Sequence, residues 1–145
     1  MKILIYYHND VDGIMSAAVV KQALLQKASK APKQFEFIPF GYNTAYDISG
    51  VTREKYSQVY VVDAFLGVES TAALRDRFGA DFIWIDHHKT AMTAWSKADL
   101  GDVEGLRSVF SAACLLCWQY FYGKAAEVPR CVELVDKFDM WRMLS

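Results

Sequence analysis

The sequence has no surplus of positive charge: 16 Lys and Arg stand against 17 Asp and Glu, for a formal net charge of −1. That argues against a broad basic face for duplex DNA, though not against a small local phosphate pocket. Cysteine is sparse, with only Cys114, Cys117 and Cys131. An odd count fits a reducing cytoplasm and not a secreted disulfide scaffold. No apolar run is long enough to span a bilayer, and Ile3-Leu4-Ile5-Tyr6-Tyr7 after Met1-Lys2 is too short for a signal peptide. The chain has no internal repeat and no low-complexity tract. What is present is a chain of 145 residues, 53% apolar and 23% charged. Such a profile predicts one globular, cytoplasmic domain that can bury a core and has no membrane partner.

Periodicity places the elements. Residues 2–7 form an apolar run that predicts a buried strand, ending in His8-Asn9-Asp10-Val11-Asp12-Gly13. Ile14, Ala17, Ala18, Lys21 and Leu25 then follow at helical spacing and predict a helix over 14–27. Residues 35–40 read as a second strand, 41–57 as an irregular loop, and 58–62 as a strand with Asp63 at its end. A helix is predicted over 69–78, with Ser70 or Thr71 near its start and Gly79 just past its end. Residues 81–85 give another strand, ending in Asp86-His87-His88. The remainder turns helical: 108–122 is apolar almost all round, and 131–141 follows Pro129. Alternating strands and helices predict an α/β fold with a mostly parallel sheet flanked by helices, three layers α/β/α. Ligands of such sheets sit outside the carboxyl ends of the strands.

Three strand ends carry the chemistry: His8, Asp10 and Asp12, then Asp63, then Asp86, His87 and His88. In a parallel sheet they share one edge. The chain has only three histidines, and all of them fall at these ends. Imidazole nitrogen and carboxylate oxygen together suit Mn²⁺, Fe²⁺ or Zn²⁺, and no cysteine joins the set, which argues against a thiolate zinc site. Asp139, a lone charge within Phe138-Asp139-Met140-Trp141, is a fourth candidate, in competition with Asp136 three residues earlier. Its apolar neighbours point to a partly buried carboxylate.

Taken in order, Asp10-Val11-Asp12-Gly13, Asp63 and the literal Asp86-His87-His88 resemble the first three motifs of the DHH phosphoesterases. Val135-Asp136-Lys137-Phe138-Asp139-Met140-Trp141 resembles the fourth, and the resemblance spans nearly the whole chain. It implies that Asp10 and Asp63, with His8 as a third ligand left open, bind one metal ion. It implies that Asp12, Asp63, His87 and Asp139 bind a second, so that Asp63 bridges. His88 would face the scissile phosphate as a charge stabiliser or proton donor, and Asp86 would orient the histidine pair. The implied function is hydrolysis of a phosphodiester or phosphomonoester, with two Mn²⁺ ions (Mg²⁺ or another divalent metal in their place) activating water. The implied substrate is a nucleotide or a short single-stranded oligonucleotide. Some members carry a histidine four residues before the first Asp, where Tyr6 stands here. Many also carry a C-terminal substrate-binding domain with a glycine-rich motif, which residues 1–145 do not show; the chain is then a minimal form or a fragment, and a homodimer is left open.

Other features read as structural. Lys89 fits an exposed lysine, and Ser108 and Ser111 fit helix caps. The Cys114-Leu115-Leu116-Cys117 spacing lies in an apolar helix and fits core packing, as do Trp118, Tyr120, Phe121 and Tyr122, where one exposed ring would be able to stack on a base. Two functional alternatives remain at this level. A haloacid-dehalogenase-like phosphatase also opens with a strand and Asp-x-Asp-Gly, but would need no histidine pair. A non-catalytic metal or nucleotide sensor, or a receiver-like domain, would bind without turnover.

Overall fold

The computed structural model describes residues 1–27, 29–41 and 45–142. Four strands, β1 (Lys2–His8), β2 (Gln34–Phe40), β3 (Tyr56–Val62) and β4 (Phe82–Ile85), form one parallel sheet in the order β2-β1-β3-β4. The chain moves outward from β1 to β2, then returns to the other side of β1 and moves outward again through β3 to β4. The sheet therefore has its switch point between β1 and β3, where ligands of open α/β sheets collect.

Alternation along the strands sorts side chains into two cores. Ile3, Ile5, Tyr60, Val62, Ile83 and Ile85 face α1 (Val11–Gln26), α4 (Ala113–Tyr122) and α5 (Arg130–Asp139). Leu4, Tyr6, Val59, Val61, Phe82 and Trp84 face α2 (Val68–Phe78) and α3 (Lys89–Ala98). The three layers expected from the sequence are thus present. Cys114 and Cys117 are buried in the first core, as their apolar helix predicts, while Cys131 is exposed.

Several boundaries differ from the sequence expectation. The loop predicted over 41–57 gives way to β3 at Tyr56, and its residues 42–44 lie outside the described residues. Helix α2 starts at Val68 after Gly67, which sits at φ 90° and provides no side-chain cap. The helix expected over 108–122 begins only at Ala113. Residues 104–108 instead run beside β4: the Trp84 amide donates to Glu104 O at 2.9 Å, Asp86 to Leu106 O at 3.3 Å, and Ser108 to Asp86 O at 3.2 Å. Gly105 permits this approach, because a Cβ there would lie 2.0 Å from Trp84 O. Ser108 caps no helix; its Oγ accepts from the Phe110 amide. Helix α5 ends at Asp139, two residues short of the predicted end, and Trp141 beyond it takes φ 57°. Among the described residues no helix is long and apolar enough to cross a membrane.

Candidate metal centre

Each strand end delivers its chemistry by a local device. After β1 the chain turns sharply into α1, and the Asp10 carboxylate caps that helix, its Oδ1 accepting from the Gly13 amide at 2.8 Å. Gly13 has to be glycine: a Cβ there would lie 1.8 Å from His8 O. The other Asp10 oxygen accepts from His8 Nδ1 at 2.7 Å. In the first turn of α1, Asp12 is buried beneath α4, and its two oxygens accept from the Ala113 and Cys114 amides at 2.9 and 2.8 Å. After β3, Asp63 adopts φ 54°, a left-handed conformation that aspartate tolerates better than most residues. Its amide donates to Ile85 O at 3.0 Å, tying it to the end of β4. After β4, the fully buried Asp86 folds back on its own loop. Its Oδ1 accepts from His87 N at 2.9 Å and from His88 Nδ1 at 2.7 Å, which fixes the His88 ring.

These side chains converge. His87 Nε2 lies 3.1 Å from Asp63 Oδ1, 3.4 Å from Asp12 Oδ2 and 3.6 Å from Asp139 Oδ2. On the other side of Asp63, its Oδ2 lies 3.7 Å from His8 Nδ1. Donor atoms of His8, Asp10 and Asp63 lie within 4.8 Å of one another, as do those of Asp12, His87 and Asp139, and those of Asp63, His87 and His88. Asp63 is the member that joins the sets.

All eight residues singled out by the sequence as the site are therefore brought to one edge of the sheet. His8, whose part the sequence left open, stands among them. Of Asp136 and Asp139, it is Asp139 that reaches His87, whereas Asp136 turns away to accept from the Ala112 amide at 2.8 Å and to pair with Arg142 at 2.9 Å. The apolar neighbours that drew attention to Asp139 do not bury it, since Phe138 is 62% and Trp141 94% exposed. Asp139 is sheltered by the site itself.

The electrostatics are those of a site built for positive charge. Asp63 is held well above the ordinary carboxylate range, first by burial and then by the charges of Asp12 and Asp10. Asp139 is raised by burial and by Asp12. Asp10 experiences the same upward push from burial, but the Gly13 amide, Asp63 and His8 outweigh it and leave it below its usual value. The Asp86 hydrogen bond raises His88 and so favours the imidazolium. A single ring nitrogen can satisfy one of the three carboxylates around His87, and the buried Asp63 Oδ2 has no hydrogen-bond partner among the described residues. Divalent cations would resolve both conflicts, and the mixed nitrogen and oxygen donors suit a transition metal of intermediate hardness.

A feature the sequence reading missed lies beside this centre. A cavity of about 290 Å³ is lined by Asp63, Asp86 and His88 at one end and by Phe40, Ala64, Phe65, Thr90, Ala91 and Ala94. Small residues at 91 and 94 on α3 carry no signal of their own in the sequence.

Comparison with known proteins agrees with this architecture. No curated protein matches the chain closely enough to show kinship. Among solved structures, an uncharacterized protein from Helicobacter pylori G27 superposes with a TM-score of 0.64 at 16% identity, over 97% of this chain. The match covers 43% of that protein, so the chain spans less than half the length of its structural neighbour. At that identity the likeness shows the fold alone. The model of the DHH family N-terminal domain matches residues 2–134, taking in Asp10, Asp12, Asp63, Asp86, His87 and His88. With that match across most of its length, and with the acids and histidines gathered at the switch point of its sheet, the chain belongs to the DHH family, whose members are generally metal-dependent phosphoesterases.

Proposed function

We propose that this chain is a divalent-metal-dependent phosphoesterase acting on a phosphodiester or phosphomonoester of a nucleotide or short single-stranded oligonucleotide. The observation that carries the reading is the position of His87 Nε2, 3.1 to 3.6 Å from oxygens of three carboxylates, one of which also reaches the His8 and Asp10 pair.

In this reading His8, Asp10 and Asp63 would hold one ion, and Asp12, His87 and Asp139 would hold a second, with Asp63 beside both sets. Two Mn²⁺ ions suit the mixed donors, with Mg²⁺ as the competing choice. Bound together, such ions neutralise charge on a phosphoryl group and lower the pKa of water.

The protein supplies the rest. Asp12 is fixed by two amides of α4 and Asp10 by the Gly13 amide, so the carboxylates are positioned before any ligand arrives. His88 stands at the head of the cavity with Nδ1 bound to Asp86, which orients its other nitrogen toward a reacting phosphate as a proton donor or charge stabiliser. A haloacid-dehalogenase-type reading, with Asp10 as nucleophile, would leave His87 and His88 without a role, although both stand against Asp63.

The test combines calorimetric titration of Mn²⁺ and Mg²⁺ with a panel of nucleotide esters. Metal-dependent release is expected, falling about a hundredfold or more in kcat for His88→Ala. An inactive chain that still binds metal would be a sensor, and one that binds no divalent ion would have no hydrolytic role by this route.

A further inference from the structure

We propose that the cavity beside the metal centre is a subsite for a flat aromatic ring, with a nucleobase as the fitting occupant, and that it selects ring-bearing phosphate esters over ring-free ones. The inference rests on the phosphoesterase reading for the placement of the phosphate, but the subsite itself stands on the lining.

The cavity is polar at one end only. Asp63, Asp86 and His88 mark the end it shares with the metal centre. Beyond them the lining is Phe40, Ala64, Phe65, Ala91 and Ala94, with Thr90 as the only polar side chain. A second phosphate placed there would lose its hydration and gain almost no donors, which disfavours pyrophosphate-like occupants. A planar ring loses little by the same transfer and gains packing on aromatic faces.

The aromatic walls are set in advance. Phe65 lies nearly parallel to the buried indole of Trp84, with centroids 5.0 Å apart and planes at 23°. Trp84 is pinned in turn by its Nε1–H, which donates to Ala64 O at 3.0 Å. Phe40 stacks on Tyr46 at 5.3 Å and 20°, and the Tyr46 hydroxyl donates to Pro39 O at 2.9 Å and accepts from the Gly41 amide at 2.7 Å. Side chains already ordered lose little entropy when a ligand arrives. The alanines at 91 and 94 leave the space on the α3 side open. A volume of about 290 Å³ is small for a drug-sized ligand and adequate for one ring system. Because Asp63 and His88 line the same cavity, a ring seated there keeps its attached phosphate at the metal centre.

Three probes separate this subsite from the phosphoesterase reading: AMP, ribose 5-phosphate and adenosine, each titrated by calorimetry into the Mn²⁺-loaded chain, with tryptophan emission followed in parallel. AMP is expected to bind about tenfold or more tighter than ribose 5-phosphate, the effect of stacking one base. Adenosine should bind weakly and quench emission from Trp84 beneath Phe65. Ala94→Leu fills the cavity and Phe65→Ala removes one wall; each should bring the AMP to ribose 5-phosphate ratio close to one. Adenosine binding that is lost in Ala94→Leu supports the subsite even if neither phosphate binds, an outcome that would count against the phosphoesterase reading instead. Equal affinity for AMP and ribose 5-phosphate, or a preference that survives in both variants, overturns the subsite.

Discussion

Asp63 is where the site's demands meet most sharply. It is 2% exposed, its backbone is left-handed at φ 54°, and burial together with Asp12 and Asp10 disfavours its charge. Such a residue is costly to the fold. Asp63→Asn keeps the shape and the tolerance for left-handed φ while removing the ionisable carboxyl group, whose charge the fold disfavours. The expected outcome is opposite in sign for stability and for binding. In EDTA at pH 7.5 the variant should be more stable than wild type by about 0.5–2 kcal/mol. Added Mn²⁺ should then raise its melting temperature far less than it raises that of the wild type. Urea unfolding with and without metal measures both, and a variant destabilised in EDTA would contradict the charge argument. At this scale the sequence was a good guide: the three histidines and the acids beside them were visible as residue types at strand ends. Asp139 was also visible, but for the wrong reason. Its neighbours Phe138 and Trp141 point to solvent, and it is the packing of α5 against α1 that brings it to His87. Such a contact leaves no trace in the local sequence.

Helix α4 shows what can be lost between residue and element. Its first amides are satisfied by carboxylates from elsewhere: Ala113 and Cys114 by Asp12 of α1, and Ala112 by Asp136 of α5. No local capping residue marks the start, since the N-cap is Ala112 with no side-chain hydrogen bond. The stretch 108–112 before it therefore reads as more helix, whereas the Ser108 amide in fact donates to Asp86 O beside the end of β4. Helix α3 is faint for another reason, because only Ala91 and Trp95 of it are buried. Within the fourth motif, Asp136 serves the start of α4 and Asp139 faces His87. Asp136→Ala strips the buried Ala112 amide of its acceptor and Arg142 of a carboxylate partner, and should cost about 1–3 kcal/mol of stability with metal affinity little changed. Asp139→Ala removes a carboxylate that makes no hydrogen bond among the described residues, and should weaken metal binding while leaving the unfolding midpoint in EDTA unchanged or raised. Paired denaturation and calorimetry on the two variants would show this crossing pattern; identical effects from both would place them in one role.

At the scale of the whole molecule, the strand order decides everything, and it is the part least legible from the chain. Alternating strands and helices gave a parallel sheet but not the order β2-β1-β3-β4, which sets His8 and Asp63 on neighbouring strands at the switch point. That order packs Asp10, Asp12, Asp63, Asp86 and Asp139 together in a chain whose formal net charge is only −1. The concentration of charge makes global stability depend on pH and metal jointly. Asp63 and Asp139 have folded pKa values above their unfolded ones, so their stabilising contribution is complete below about pH 4 and is lost as pH rises. His88, raised by Asp86, contributes fully below about pH 6.5 and loses that contribution as pH climbs through its folded value. Asp10 has the opposite sign, but its contribution is lost only as pH falls through its lowered value, outside a window of pH 5 to 8. In EDTA, melting temperature should therefore fall steadily from pH 5 to pH 8. With Mn²⁺ the slope should flatten or reverse, because the ion binds the deprotonated ligands and competes less with protons as pH rises. At a hundredfold excess of metal over its Kd the gain is about 2.7 kcal/mol, or roughly 10 °C for a chain of this size. Two melting series across that window would show curves that diverge with pH. Parallel curves would mean that the charge cluster is not what the metal relieves.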